Sequence, residues 1–281
     1  DGNSIDGEPV IIEAGQYLLV YLDELESFSP YHTNFKLDIE NGALYLSDET
    51  GTIIDELKYD TTYRNMSVGR LTDGSAEIGT FAVPSPGKSN EGGKFLTKQT
   101  EMPSFSLKPG FYKDAQTIEM SVKDKNAKIY YTTNGSEPTP QSTPYTEPII
   151  IEKNTPIRAA AFVDGEISSE INTASYFIDE REINIPVVAL VAEPELIYGD
   201  SFGIIATGVN GNVEIPGYCN DPLENTYANY YNDWKHPSNF ELFDANDKEQ
   251  INLEVKIGVY GSCSRTKRIK SLKVNASKIY G

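Results

Sequence analysis

Ala127-Lys128-Ile129-Tyr130-Tyr131-Thr132-Thr133-Asn134-Gly135-Ser136-Glu137-Pro138-Thr139 carries the clearest structural grammar in the chain. Ile129 to Thr133 are all β-branched or aromatic, the composition of a pleated, half-buried strand. Successive strand side chains point to opposite faces, so Tyr130 and Tyr131 are divided between them and at least one belongs to a core. Asn134-Gly135 supplies the positive φ of a tight hairpin, and Pro138 and Pro140 stiffen the loop after it. The same punctuation extends outward in both directions. Thr52-Ile53-Ile54, Ile149-Ile150-Ile151 and Val187-Val188 alternate with Gly, Pro, Asn and Asp clusters. No sustained 3.6-residue apolar period is present, and the best candidate for a helical turn, 221–234, is short and aromatic-rich. The expected fold class is mainly β.

The chain has 281 residues, enough for two or three domains. With 42 acidic and 24 basic residues it carries a formal charge of −18, which excludes nucleic acid as an expected partner. No apolar run reaches the roughly 18 residues of a membrane span, so membrane insertion is not expected. Residues 1–6 do not follow the plan of a signal peptide; any export signal is expected upstream or already removed. Two histidines, His32 and His236, and two cysteines, Cys219 and Cys263, fit no zinc spacing and flank no nucleophile motif. Neither a metal site nor a catalytic residue is expected. The cysteines either form a disulfide, worth about 3–4 kcal/mol in the loop-entropy account, or are two buried thiols.

Polar breaks at 89–94 and 178–182 divide the chain into three parts: 1–92, 103–179 and 183–281. In the first, Tyr17-Leu18-Leu19-Val20-Tyr21 reads as a buried strand. Ala43 to Ser47 and Gly51 to Asp55 read as a hairpin turned at Asp48-Glu49-Thr50-Gly51. The order of Thr33 to Leu37, Gly51 to Asp55, Ser67-Val68-Gly69-Arg70, Asp73-Gly74-Ser75 and Pro84 to Asn90 resembles the lamin-tail domain, an immunoglobulin-like sandwich. Ser85 stands where the family's terminal Thr-Pro-Gly usually lies, and the family's opening strands are lacking, which implies a truncated sandwich with an exposed edge. Arg70 reads as an ion-pair partner of Asp55 or Asp73.

In the second part, the Tyr-Thr-Thr-Asn-Gly-Ser-x-Pro block at 131–138, with Pro144-Tyr145 and Thr155 to Ala161 after it, resembles the chitobiase and β-hexosaminidase C-terminal domain. That implies a small immunoglobulin- or fibronectin-like sandwich beside a glycoside hydrolase. Tyr130, Tyr131 and Tyr145 are its candidate carbohydrate-stacking residues. No pair of carboxylates is spaced for glycoside hydrolysis there.

In the third part, Gly261-Ser262-Cys263-Ser264-Arg265 and Lys270-Ser271-Leu272-Lys273 resemble the N-terminal portion of the CotH, or spore coat protein H-like, kinases. Cys263 stands where a Ser is common and Ser262 where a Gly is. Residues 255–281 hold seven basic and no acidic side chains. Arg265, Lys270 and Lys273 are therefore candidate phosphate-binding residues; strand alternation puts Lys270 and Lys273 on opposite faces, and a basic solvated strand is the competing reading. A kinase would add ATP and Mg to the longer protein. This chain ends before that family's larger lobe and is expected to be inactive, with no cofactor. Tyr227, Tyr230, Tyr231 and Trp234 read as core packing or as a ligand platform.

The combined expectation is two immunoglobulin- or fibronectin-like β-sandwiches followed by a β-rich partial CotH-like lobe. Its function would be non-catalytic binding, adhesion or presentation in a secreted bacterial cell-surface protein, toward an unknown protein or carbohydrate. The front lobe of an atypical kinase and the accessory carbohydrate-binding region of a glycoside hydrolase are the alternatives.

Overall fold

A computed structural model describes residues 11–22, 31–37, 41–60, 62–63, 66–96, 98–180, 184–209 and 228–276. The fold is mainly β, and the one α-helix among the described residues spans five residues, Pro194–Tyr198. The residues cluster into two compact units, 1–98 with 165–167, and 99–164 with 168–281.

In the first unit β1 (Gly42–Ser47) and β2 (Ile53–Tyr59) form an antiparallel hairpin, turned at 48–51 as the sequence indicated. Asp48 makes that turn. Its carboxylate accepts the Thr50 hydroxyl at 2.6 Å and the N–H groups of Thr52 and Thr50, both at 2.9 Å, and these donors hold it below the usual carboxylate range. β3 (Ser67–Arg70), β4 (Ile78–Phe81) and β5 (Phe95–Leu96) make a three-stranded antiparallel sheet. Arg70 pairs with Asp55 at 2.5 Å and also donates to Ser75 O (2.5 Å) and Glu56 O (2.9 Å). Asp73 instead accepts the Tyr17 hydroxyl at 2.5 Å. One expectation fails: Tyr17 to Tyr21 form no buried strand. Their side chains are exposed, and only Tyr21 makes a bridge, to His32. An apolar run becomes a buried strand only when a neighbouring strand and a facing layer cover it.

In the second unit, residues 99–164 and 168–178 supply β6 (Ser104–Phe105), β7 (Gly110–Tyr112), β8 (Gln116–Ile118), β9 (Met120–Ser121), β10 (Lys128–Thr132), β11 (Thr143–Pro144), β12 (Ile149–Ile151), β13 (Thr155–Phe162) and β14 (Asn172–Ile178). A five-stranded sheet in the order β11-β10-β13-β14-β7 packs one face on Ile118, Met120 and Ile151. Ile157, Ala159, Ala161, Ala174 and Tyr176 are its inward residues. Gly135 has a φ of +91°, as expected of Asn-Gly. The connection from β10 to β11 is nevertheless a loop of ten residues, 133–142, and not a tight hairpin.

A second, four-stranded antiparallel sheet has the order β15 (Val187–Ala192), β16 (His236–Phe243), β17 (Glu249–Tyr260), β18 (Ser271–Asn275). One face carries Leu253, Val255, Ile257 and Val259 toward Ile204 and Tyr230. The other lies on the outer face of the five-stranded sheet. Phe243 meets Phe111 and Phe177 edge-on at 5.7 Å, Asn252 Nδ2 donates to Thr173 O at 3.0 Å, and Ser175 bonds to Glu241. The middle strands β13 and β14 are thus covered on both faces, and residues 157–161, Ile-Arg-Ala-Ala-Ala, are all buried.

Candidate functional site

The antiparallel register of β10 with β11 sets Tyr130 opposite Pro144, and the Tyr145 N–H donates to Ile129 O at 2.8 Å. This pairing brings Tyr130 and Tyr145, fifteen positions apart, to one edge of the five-stranded sheet. Together with Pro144, Met120, Lys125 and Lys128 they line an open groove of about 520 Å³. Tyr130 is half-buried and braced edge-on by Phe162 at 5.6 Å. Tyr131, one position along, turns to the opposite face and packs on the core, as alternation requires. The candidate sugar-stacking trio therefore separates: Tyr130 and Tyr145 line the groove, Tyr145 while also packing on the core, and Tyr131 packs on the core outside the groove. Aromatic rings beside exposed amines offer an apolar face and hydrogen-bond donors at the rim, a combination that accommodates a flat, hydroxylated ligand. Lys125 and Lys128 were not singled out from the sequence, because surface lysines carry no positional signal until strand pairing places them.

Arg265 sits in a 3-10 turn, Cys263–Thr266, and its guanidinium is committed to main-chain carbonyls. It donates to Gly261 O at 2.5 Å, Tyr231 O at 3.0 Å and Tyr230 O at 3.3 Å. Lys270 donates to Lys267 O at 3.1 Å and lies 4.2 Å above the Tyr230 ring centroid, where partial burial pulls its ammonium below the ordinary lysine value. Lys273 is exposed on β18, opposite Gly258. Arg265 and Lys270 thus both bear on Tyr230, and their contacts explain their positions without a ligand. Tyr230 and Trp234 pack with the apolar layer of the C-terminal sheet. Cys219, Tyr227 and the side chain of Cys263 lie outside the described residues, so the possible disulfide does too. Among the described residues no group of three or more His, Cys, Asp or Glu side chains is placed to hold a metal ion, and no helix is long and apolar enough to cross a membrane.

With the groove and its two tyrosines defined, the relationship of the second module to known proteins becomes informative. Residues 107–173 match the chitobiase/beta-hexosaminidase C-terminal domain. The match begins before β7 and ends at the start of β14, so this chitobiase-type module includes Tyr130, Tyr131 and Tyr145. A stretch of 122 residues, 43% of the chain, is 30% identical to an endoglucanase from Clostridium saccharobutylicum. The aligned stretch covers 25% of that protein's length.

A buried polar seam escaped the sequence reading. Arg158, on the face of the chitobiase-type sheet opposite its core, is 2% exposed. It donates to Gly135 O at 3.0 Å and lies 3.8 Å from Glu254. Across the seam, Glu241 is fully buried. The available signal was a charge inside each apolar run, Ile157-Arg158-Ala159 and Phe240-Glu241-Leu242, at positions where a one-sided sheet would present polar residues to water.

Proposed function

We propose that this chain is a non-catalytic accessory region of a secreted bacterial carbohydrate-active protein, and that its chitobiase-type module binds glycan through the Tyr130 and Tyr145 groove. The observation that carries this reading is the coincidence, in one module, of a groove lined by two tyrosines with kinship to a domain named for chitobiase and β-hexosaminidase. Identity to an endoglucanase supports a glucan-type ligand. Sugar rings present flat C–H faces to the tyrosines while their hydroxyls meet Lys125 and Lys128. The binding and presentation role expected of the chain is kept in this reading, with carbohydrate as the partner.

Isothermal titration of the chain with cello- and chito-oligosaccharides tests it. Binding is expected for at least one series. Tyr130→Ala and Tyr145→Ala are each expected to weaken it by about fivefold, the loss of roughly 1 kcal/mol of aromatic contact. No binding of either series, or binding that survives both substitutions, contradicts the reading.

A further inference from the structure

Among the described residues, the polar seam between the two sheets of the second unit holds a buried carboxyl group, that of Glu241, with no cation among its hydrogen-bond partners. Glu241 projects from β16 toward β14, where it accepts the Ser175 N–H at 2.9 Å through Oε1 and bonds the Ser175 hydroxyl through Oε2. Its neighbours across and along the seam are neutral or acidic. Asn252 is its register partner on β17, Ala189 its partner on β15, and Glu249 adds a like charge. Arg158 on β13 is the nearest basic group by register, yet it belongs to Gly135 O and Glu254. Lys256 lies farther along the same face of β17, opposite Pro237. β7 and β15 present no titratable side chain to the seam. β14 has only Tyr176, whose hydroxyl points to the opposite face and donates to Leu107 O at 2.8 Å.

A carboxyl in this place is stable as a neutral acid, which bonds Ser175 and needs no counter-ion. Its ionised form must be held dry, beside Glu249, by two donors from a single serine. We propose that Glu241 is a proton-operated latch, which clamps the C-terminal sheet onto the chitobiase-type module when neutral and loosens that clamp when ionised. Burial pushes the carboxyl up from 4.5 to about 7, against the opposing pull of the Ser175 bonds. The sign follows from that rise. The unfolded chain ionises near 4.5 while the seam still holds its proton. Stability supplied by the latch is thus complete below about 4.5 and lost as the pH rises through about 7. The corresponding change in the opening equilibrium is roughly 300-fold. The seam lies on the face of the sheet opposite the Ile118 core and does not depend on the groove binding sugar.

Hydrogen exchange of the full chain, corrected for intrinsic rates, reads the latch directly. Protection across 172–178 in the wild type is expected to fall by on the order of 10²-fold between pH 5 and pH 8, while Glu241→Gln is expected to lose that dependence. A wild-type profile flat over this range, or a Glu241→Gln chain that keeps the wild-type slope, overturns the proposal. Should Glu241→Gln fail to fold, the carboxyl ¹³C titration of Glu241 in the wild type decides. A midpoint near 7 upholds the latch, and one near 4.5 overturns it.

Discussion

The two units bury their apolar residues very differently. Among the described residues of the first unit, the buried apolar side chains are Tyr59, Phe81, Leu96 and Ile167, while Leu18, Leu46, Ile53 and Ile54 are exposed. The second unit has two apolar clusters, one of them led by Ile118, Ile157 and Tyr176, and a polar seam between its sheets. Similar strand-forming runs therefore meet opposite fates. On β12, paired with β8, Ile151 is buried against the facing sheet while Ile150 points away and is exposed, whereas Ile53 and Ile54 on the β1–β2 hairpin are both exposed. A strand's burial is decided by the layers around it, which no local pattern records.

Truncating a fully buried residue of the second unit should have the largest effect. Ile157→Ala is expected to cost about 3–4 kcal/mol, and Ile54→Ala on the exposed hairpin less than about 0.5 kcal/mol, by chemical denaturation. Equal costs would erase the contrast. Next comes the seam: Arg158→Ala is expected to cost about 3 kcal/mol, because it vacates a buried site, strips Gly135 O of its donor and removes the positive charge facing Glu254. Gly135→Ala tests the same loop from the other side. A Cβ there would sit 2.4 Å from Ala192 O at a φ of +91°, so a loss of about 2 kcal/mol is expected. The half-exposed ion pair of the first unit should give less. Arg70→Ala removes bonds to Asp55, Glu56 O and Ser75 O at a partly solvated site, and a loss of about 1–2 kcal/mol is expected. If Arg70→Ala unfolds the first unit outright, that unit is held by its polar network more than by its apolar contacts.

The β10 stretch was legible because its residues obey one local rule each: alternation for Tyr130 and Tyr131, positive φ for Gly135. The β1–β2 turn was legible for the same reason, whereas for Arg70 the sequence offered Asp55 or Asp73, and strand pairing selects Asp55. The seam was not legible, since Arg158 and Glu241 acquire their roles only when two sheets meet through residues far apart in sequence, as Ser175 and Glu241, 66 positions apart, do. Nor could spacing tell Tyr131 from Tyr130 as the groove residue, because alternation divides the pair without naming the buried member. At the C-terminal end the basic composition was visible, yet two of the three carbonyl oxygens that occupy Arg265 come from Tyr230 and Tyr231, thirty-four or more positions away.

Sugar binding at the β10–β11 edge is the claim on which the functional account stands, and amide chemical-shift mapping tests it most directly. Titration of the ¹⁵N-labelled chain with the oligosaccharide series that binds is expected to move the resonances of Lys125, Lys128, Tyr130 and Tyr145, and to leave those of β1 and β2 unchanged. Shifts confined to the first unit, or none with either cello- or chito-oligosaccharides at millimolar concentration, would contradict it.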